Sequence, residues 1–406
     1  MDRDREVQER LKPLKARVRQ EAEALLPRLK TLAEEIHGFT ELKFEERKSA
    51  ALLVKTLAGL GFEVAPGTGG LETAFFAQAG GRARPAVAFL AEYDALPGVG
   101  HGCGHNLIAA ASVGAGAALL PLVAEGRLMG SAVVIGTPGE EGGGGKVFLV
   151  REGVFAGLDA ALMIHPAAVT IPDAGSLARV NFSVEFFGRA AHAASAPHRG
   201  VNALDALIQT FVGISALRQQ LPEDVRLHGI ITHGGEAVNI IPEYSRGVFG
   251  ARATSMTKVM RVYGRVKDCV QGAALAAGCT YKIAEDVPYK EMRPNPVLND
   301  LLIANFRALG RTIDPLPVRG GLGSTDLGDV SHVLPSVSPY LRLDGPDPSV
   351  PLVWHTRAVH EAAVGPSAVK WIEDGAKALA MTAVDLLGDP ACLEAARKSF
   401  HAEASD

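Results

Sequence analysis

The sequence predicts an α/β protein: a sheet domain of alternating strands and helices, interrupted by a smaller α+β domain of ferredoxin-like order. Three observations predict it. The chain has 406 residues, more than one average domain holds. Short apolar runs at 86–90, 131–136 and 160–164 alternate with helical stretches, and each leads into polar residues. After residue 176 the rhythm changes to β-α-β-β-α-β over about 110 residues, and the α/β texture returns near 291. The expected division is a first domain of 1–177 and 291–406, with 178–290 inserted in it.

The elements follow in order. Residues 1–60 read as helix: a charged amphipathic stretch to His37, then 44–60. Strand-like pieces come at 61–65, 73–77 and 86–92. A glycine-rich loop bearing Cys103 and His105 precedes an Ala-rich helix at 107–120. The run 131–136 leads into Thr137-Pro138-Gly139-Glu140-Glu141 and four glycines, and 160–164 delivers His165-Pro166. In the insert, 179–187 alternates like a half-buried strand and 201–221 has helical periodicity. The stretches 226–233 and 246–253 are strand-like, 256–278 is helical and 280–284 is a last strand. The tail after Asp389 is short, polar and helix-like.

Composition narrows the function classes. The formal charge of −4 and the lack of a basic run argue against a nucleic-acid partner. The charged N-terminal stretch has no apolar core that would make it a signal peptide. No run reaches about 18 consecutive apolar residues, which argues against a membrane span. The four cysteines (Cys103, Cys269, Cys279 and Cys392) are irregularly spaced. That suits a reducing cytoplasm, the expected location, better than a disulfide framework.

The chemistry-bearing residues gather at expected strand ends. Cys103 and His105 flank a glycine, so the backbone can turn both side chains toward one ion. Glu140-Glu141 follows a strand. In an extended segment the two carboxylates point in opposite directions, one to a metal and the other to its water. His165 ends a buried run, and Trp354-His355-Thr356 lies near the C-terminus, with His360 five residues on. Each piece has an ordinary reading: a buried free thiol, a solvated acidic turn, a core histidine. Together they suit one or two Zn²⁺-like or Mn²⁺-like ions. The glycines at 98–104 miss the dinucleotide spacing. Gly145-Lys146 is followed by Val147 rather than Ser or Thr, and no nucleophile elbow is present.

Taken together, Ala91-Glu92-Tyr93-Asp94-Ala95-Leu96-Pro97, His101-Gly102-Cys103-Gly104-His105, Gly139-Glu140-Glu141 and Gly188-Arg189-Ala190-Ala191-His192 resemble the M20 metallopeptidase/amidohydrolase family. The Cys-x-His form is similar to its aminoacylase-like branch, with aminobenzoyl-glutamate hydrolases, indole-acetyl-amino-acid hydrolases and β-alanyl-lysine-type dipeptidases. The resemblance runs from about residue 30 to 388 in one order. It implies a zinc-exopeptidase-like mixed sheet with an inserted lid that also dimerises. It implies Cys103, His105, Glu141, His165 and His355 as ligands of one or two divalent ions: Zn²⁺ first, with Mn²⁺, Co²⁺ or Ni²⁺ as alternatives. Glu140 becomes the general base and Asp94 the residue that orients a ligand imidazole. His192 becomes the stabiliser of the oxyanion, from its own or the partner subunit. Asn239 and Arg252 match positions that grip a substrate carboxylate, and Ser324 lies in a segment near the substrate. His355 fits the ligand segment better than His360, and His101 takes a supporting role.

Two departures bear on substrate. Asn106 stands where some branches have Asp, and Glu92-Tyr93-Asp94 stands where Asp-x-Asp is common; both resemble the dipeptidase-like subgroup. The resemblance implies metal-dependent hydrolysis of an amide bond to an amino acid, by a metal-bound hydroxide with Glu140 as base. The substrate is a small N-acyl amino acid or dipeptide with a free carboxylate, and the choice between them stays open. A homodimer through the lid is expected. The competing reading is a non-catalytic protein in which Cys103 and His105 hold a structural zinc. Such sites are closed by four protein ligands and need no spare carboxylate.

Overall fold

The computed structural model describes residues 2–81, 83–316, 323–347 and 349–403. It divides into two compact units: Met1–Gly175 with Arg293–Leu322 and Asp329–Asp406, and Ser176–Met292 with Gly323–Gly328. The sequence reading gave all of 291–406 to the first domain. The short segment Gly323–Gly328 instead joins the second unit, where the Leu177 N–H donates to the Gly323 carbonyl at 2.8 Å.

The first unit is built on a six-stranded mixed sheet. Its strands are β1 (Glu63–Pro66), β2 (Phe75–Ala79), β3 (Ala86–Ala91), β4 (Ser131–Gly136), β5 (Ala160–Leu162) and the short strand Ser336–Val337. Across the sheet the order is β1, β2, β4, β3, β5 and Ser336–Val337. β3 and β4 are buried along their whole length, as befits central parallel strands covered on both faces. β3, β4 and β5 run parallel, so their carboxyl ends share one edge, where an open α/β sheet places its site. A further short strand, β6 (His165–Ala167), pairs with Tyr340–Arg342 and puts Tyr340 opposite His165.

Helices Asp2–Phe39, His105–Ala124 and Pro366–Gly388 pack on one another, and the middle one lies on β3 and β4. The first is a single helix across Pro13 and Pro27. Its buried Leu11, Leu14, Val18, Ala22, Leu29, Leu32 and Ile36 form a stripe at helical spacing whose burial outweighs the lost hydrogen bonds. Helix His105–Ala124 is long and apolar enough to cross a membrane by composition. That apolarity reflects burial: every residue from His105 to Leu119 is buried, and Gly114 lies close against Leu29 and Ala376 of the neighbouring helices.

The second unit has four antiparallel strands, β7 (Ala178–Phe187), β8 (Arg226–His233), β9 (Tyr244–Ala253) and β10 (Thr280–Glu285), in the order β10, β7, β9, β8. With helices Ala203–Leu217 and Met256–Ala277 this is the ferredoxin-like arrangement. Along β7, Val180, Phe182, Val184 and Phe186 join the core with residues of both helices, including Leu207, Ile214, Val262 and Tyr263. Arg179, Asn181, Ser183 and Glu185 alternate with them onto the other face.

Candidate active site

Chain leaving β3 carries Glu92 and Asp94 straight into the loop that holds Cys103 and His105. Gly104, at φ 72°, turns that loop into the helix beginning at His105, and a Cβ there would meet Pro166 at 2.8 Å. The Nδ1 side of the His105 ring lies 2.9 Å from Asp94 Oδ1, while Asp94 Oδ2 accepts from the Glu141 N–H at 2.8 Å. One carboxylate therefore fixes both the imidazole and the start of the Glu141 turn. A histidine clamped this way presents Nε2 outward.

The segment after β4 departs from expectation. Glu140 and Glu141 occupy a tight turn rather than extended chain, closed by the Gly142, Gly143 and Gly144 N–H groups on the Glu140 and Gly139 carbonyls. Their carboxylates converge with His105 instead of pointing apart. Gly139 sits at φ 70°, and a Cβ on it would meet the Phe44 ring at 2.8 Å. The buried Glu46 carboxylate holds the turn from below, accepting from the Gly139 N–H at 2.8 Å and from Thr73 Oγ1 at 2.9 Å.

His165 opens β6, with Nδ1 2.8 Å from the Pro166 carbonyl, which leaves Nε2 for another partner. His355 adopts φ 62°, a left-handed conformation that costs a non-glycine residue energy and clusters at functional sites. Its N–H donates to the Gly102 carbonyl at 3.0 Å, and Nε2 stands 3.8 Å from Glu141 Oε1.

These side chains make three overlapping sets: Cys103 with His105 and His165, Cys103 with Glu141 and His355, and His105 with Glu140 and Glu141. Within each set the ligand atoms all lie within 4.8 Å of one another. His105 Nε2 and Glu141 Oε1 are buried without a hydrogen-bond partner. Buried polar atoms are rarely left so, and a thiol, three imidazoles and a carboxylate are the donors a zinc-like ion takes. The residues fit a metal.

Charge is balanced around them. Glu92 lies 3.4 Å from His105 Nε2 and accepts from the fully buried Lys146 Nζ at 2.6 Å. Burial opposes ionisation of Glu92, but Lys146 and His105 overcome it and leave the carboxyl below its usual range. Burial likewise opposes the charge on His105, yet Asp94 and Glu92 hold that imidazole well above its usual value. His165, buried and facing another imidazole, is pushed down to about 4. Burial pushes the Cys103 thiol up; a cation reverses that direction.

His360 is placed outside the three sets. Its Nδ1 accepts from the His101 N–H at 3.0 Å, and its ring stacks on His37 at 4.0 Å. His101 in turn contacts the Ile36 carbonyl through Nε2 at 3.1 Å. Asn106 donates to the carbonyls of Ala33 and Ala363, at 3.2 and 3.0 Å. An ionised aspartate has no proton for either bond, which explains the asparagine.

In the second unit His192 and Asn239 lie on adjacent loops: the Ala193 N–H donates to the Asn239 carbonyl at 2.9 Å, and His192 bridges to Ile240. His192 Nδ1 accepts the Ala194 and Ser195 N–H groups, both at 3.2 Å. A neutral ring so bound carries its proton on Nε2. Arg252, near the end of β9, and Ser324 lie elsewhere in this unit. Arg252 lies eight residues into β9, about 27 Å of extended strand from its start, and Asn239 lies before that start. One small ligand does not touch both within one chain. Sequence reasoning missed Glu46, Lys146 and Arg179; the signal for Arg179 was an arginine on the outward phase of the 179–187 alternation.

Comparisons with known proteins agree with this picture. Residues 178–276 match a family described as a peptidase dimerisation domain. The chain is 40% identical over 415 residues to a mouse (Mus musculus) Xaa-Arg dipeptidase, spanning 96% of this chain and 93% of that protein. It is 36% identical over 299 residues to one of the polypeptides of the p-aminobenzoyl-glutamate hydrolase of Escherichia coli, spanning 69% of this chain and 62% of that protein. A Bacillus subtilis protein described as a dinuclear metal-binding peptidase from the M20 family shares the fold, with a TM-score of 0.65 and 20% identity over 90% of this chain and 98% of that one.

Proposed function

Because this chain belongs to the M20 family of metal-dependent peptidases and amidohydrolases, we propose that it hydrolyses the amide bond to an amino acid whose own carboxylate is free. The observation that carries this reading is the convergence of Glu140 and Glu141 with His105, whose buried Nε2 has no hydrogen-bond partner. Cys103, His105, Glu141, His165 and His355 would hold one or two divalent ions, Zn²⁺ foremost. Such an ion, when bound, polarises the scissile carbonyl and acidifies water. Glu140 takes the proton of the attacking water and returns it to the leaving amine. Asp94 keeps the His105 ring in one orientation, and the Nε2–H of His192 is the donor for the developing oxyanion. The spare carboxylate beside the ligand set, together with relatives that are hydrolases, sets aside a purely structural metal site.

Of the two substrate forms, a dipeptide has the stronger support: a relative matched over nearly its whole length is named a dipeptidase. A homodimer through the second unit accords with the family matched there. In that assembly one chain supplies His192 and Asn239 and the other Arg252, which accommodates their separation on a single sheet.

The test is a panel of dipeptides and N-acyl amino acids, assayed on metal-reconstituted protein with and without chelator. Chelator-sensitive cleavage is expected, and its absence across the panel overturns the reading. Glu140→Gln should keep its metal and lose about 10²- to 10⁴-fold in kcat; turnover near the wild-type rate removes Glu140 as the base.

A further inference from the structure

The outer face of the second unit's sheet carries an arginine with no place in the reaction described so far. Arg179 lies directly opposite Arg252 in the β7–β9 register. Its side chain is 8% exposed, and the guanidinium sits 3.9 Å over the Tyr289 ring. Tyr289 is locked beside it by two backbone bonds, Arg179 N–H to the Tyr289 carbonyl at 2.9 Å and the reverse at 3.1 Å. The Nε atoms of Arg179 and Arg252 are both buried without a partner, as is Ser324 Oγ. Ser324 is brought to the start of β7 by the Leu177–Gly323 bond. Among the described residues no carboxylate pairs with either guanidinium.

Such an arrangement is costly by itself. Like charges directly opposite on a sheet repel, and a buried donor left unpaired forfeits its solvation. Burial, and then the charge of Arg179, press the Arg252 guanidinium below its usual value. Stacking on Tyr289 offsets part of the cost and fixes the plane of one fork. What completes the site is an anion. Two planar forks and a hydroxyl suit carboxylate oxygens, which guanidinium binds in bidentate fashion.

We propose that Arg179, Arg252 and Ser324 form an anion subsite that selects substrates whose C-terminal residue is acidic, aspartate or glutamate. The inference rests on the amide-hydrolase reading above. Arg252 alone answers the α-carboxylate that every such substrate carries; Arg179 adds a second fork, and the second carboxylate of an acidic residue is its complement. A cationic C-terminal residue meets two like charges instead.

A matched series tests it on the metal-loaded enzyme: Ala-Glu, Ala-Gln and Ala-Arg, which differ only in the C-terminal side chain. Wild-type kcat/KM should favour Ala-Glu over Ala-Gln by about 10- to 100-fold, carried mainly by KM. Arg179→Met should bring that ratio close to one, and Arg179→Lys, which keeps charge but loses the fork, should retain part of it. Equal rates on Ala-Glu and Ala-Gln, or faster cleavage of Ala-Arg, overturn the inference and leave the amide-hydrolase reading standing. If no amide is cleaved at all, that reading fails, and calorimetry on the wild-type protein decides the subsite. Glutarate binding that Arg179→Met weakens supports it. No glutarate binding, or inorganic phosphate binding more tightly than glutarate, overturns it. The same calorimetry on wild-type protein applies if Arg179→Met does not fold.

Discussion

Glu92 and Lys146 illustrate how a side chain's length can be set by a partner 54 residues away. The extra methylene of Glu92 over aspartate lets one carboxylate reach Lys146 Nζ at 2.6 Å and His105 Nε2 at 3.4 Å. Both residues are out of water, so removing Lys146 takes away the cation hydrogen-bonded to a buried carboxylate. Lys146→Met should cost about 3–5 kcal/mol by chemical denaturation, and the double variant with Glu92→Leu should cost less than the single one. Glu46 makes a different prediction. Burial, and then neighbouring Asp94, push its carboxyl up to about 7, against an unperturbed value of 4.5. An acid whose folded pKa is raised contributes stability below the unfolded pKa and loses it as pH rises through the folded one. Stability should therefore fall between pH 4.5 and 7, by on the order of 3 kcal/mol from this group. Glu46→Gln keeps an acceptor for the Gly139 N–H and should flatten that slope; an unchanged slope in thermal melts against pH assigns it elsewhere. The letters of Glu92 and Asn106 stood out in the sequence, but their reasons did not. Those lie in Lys146 and in two backbone carbonyls that are remote along the chain.

The elements that sequence periodicity resolves are those with one buried face. β7 was readable because its apolar residues alternate against a helical layer, and β3 and β4 because both faces are covered. The Glu140–Glu141 turn was not readable. Alternation applies to extended chain, whereas the glycines that follow serve a turn closed around Phe44. Gly139→Ala should thus cost more than a loop substitution ordinarily does, since it needs both a left-handed φ and the space of the Phe44 ring. Its effect belongs on kcat, because the turn carries Glu140. β8 is an edge strand exposing Ile230 and Ile231, at 63% and 46%. Exposed apolar edges invite pairing with another chain. If the homodimer forms there, Ile230→Lys should shift sedimentation toward monomer with the fold intact; an unshifted dimer moves the interface to another face.

At the scale of the whole chain, the ligand set draws on residues from Cys103 to His355, so an ion would tie together segments far apart along the chain. Chelation should lower the thermal transition of the first unit by several degrees while that of the second unit, whose core lies within 178–274, stays in place. Equal shifts of both argue against a metal held by these residues. The order of elements and the insertion were legible from rhythm alone. The return of Gly323–Gly328 to the second unit was not, since a six-residue segment carries no period. The separation of Asn239, before β9, from Arg252, near its end, has a genetic consequence. If one substrate needs both, two defective polypeptides can make one working centre. An Asn239→Ala chain mixed with an Arg252→Ala chain would form hybrids in which one of the two centres has every part, recovering up to half the activity of a normal pair from two dead parents.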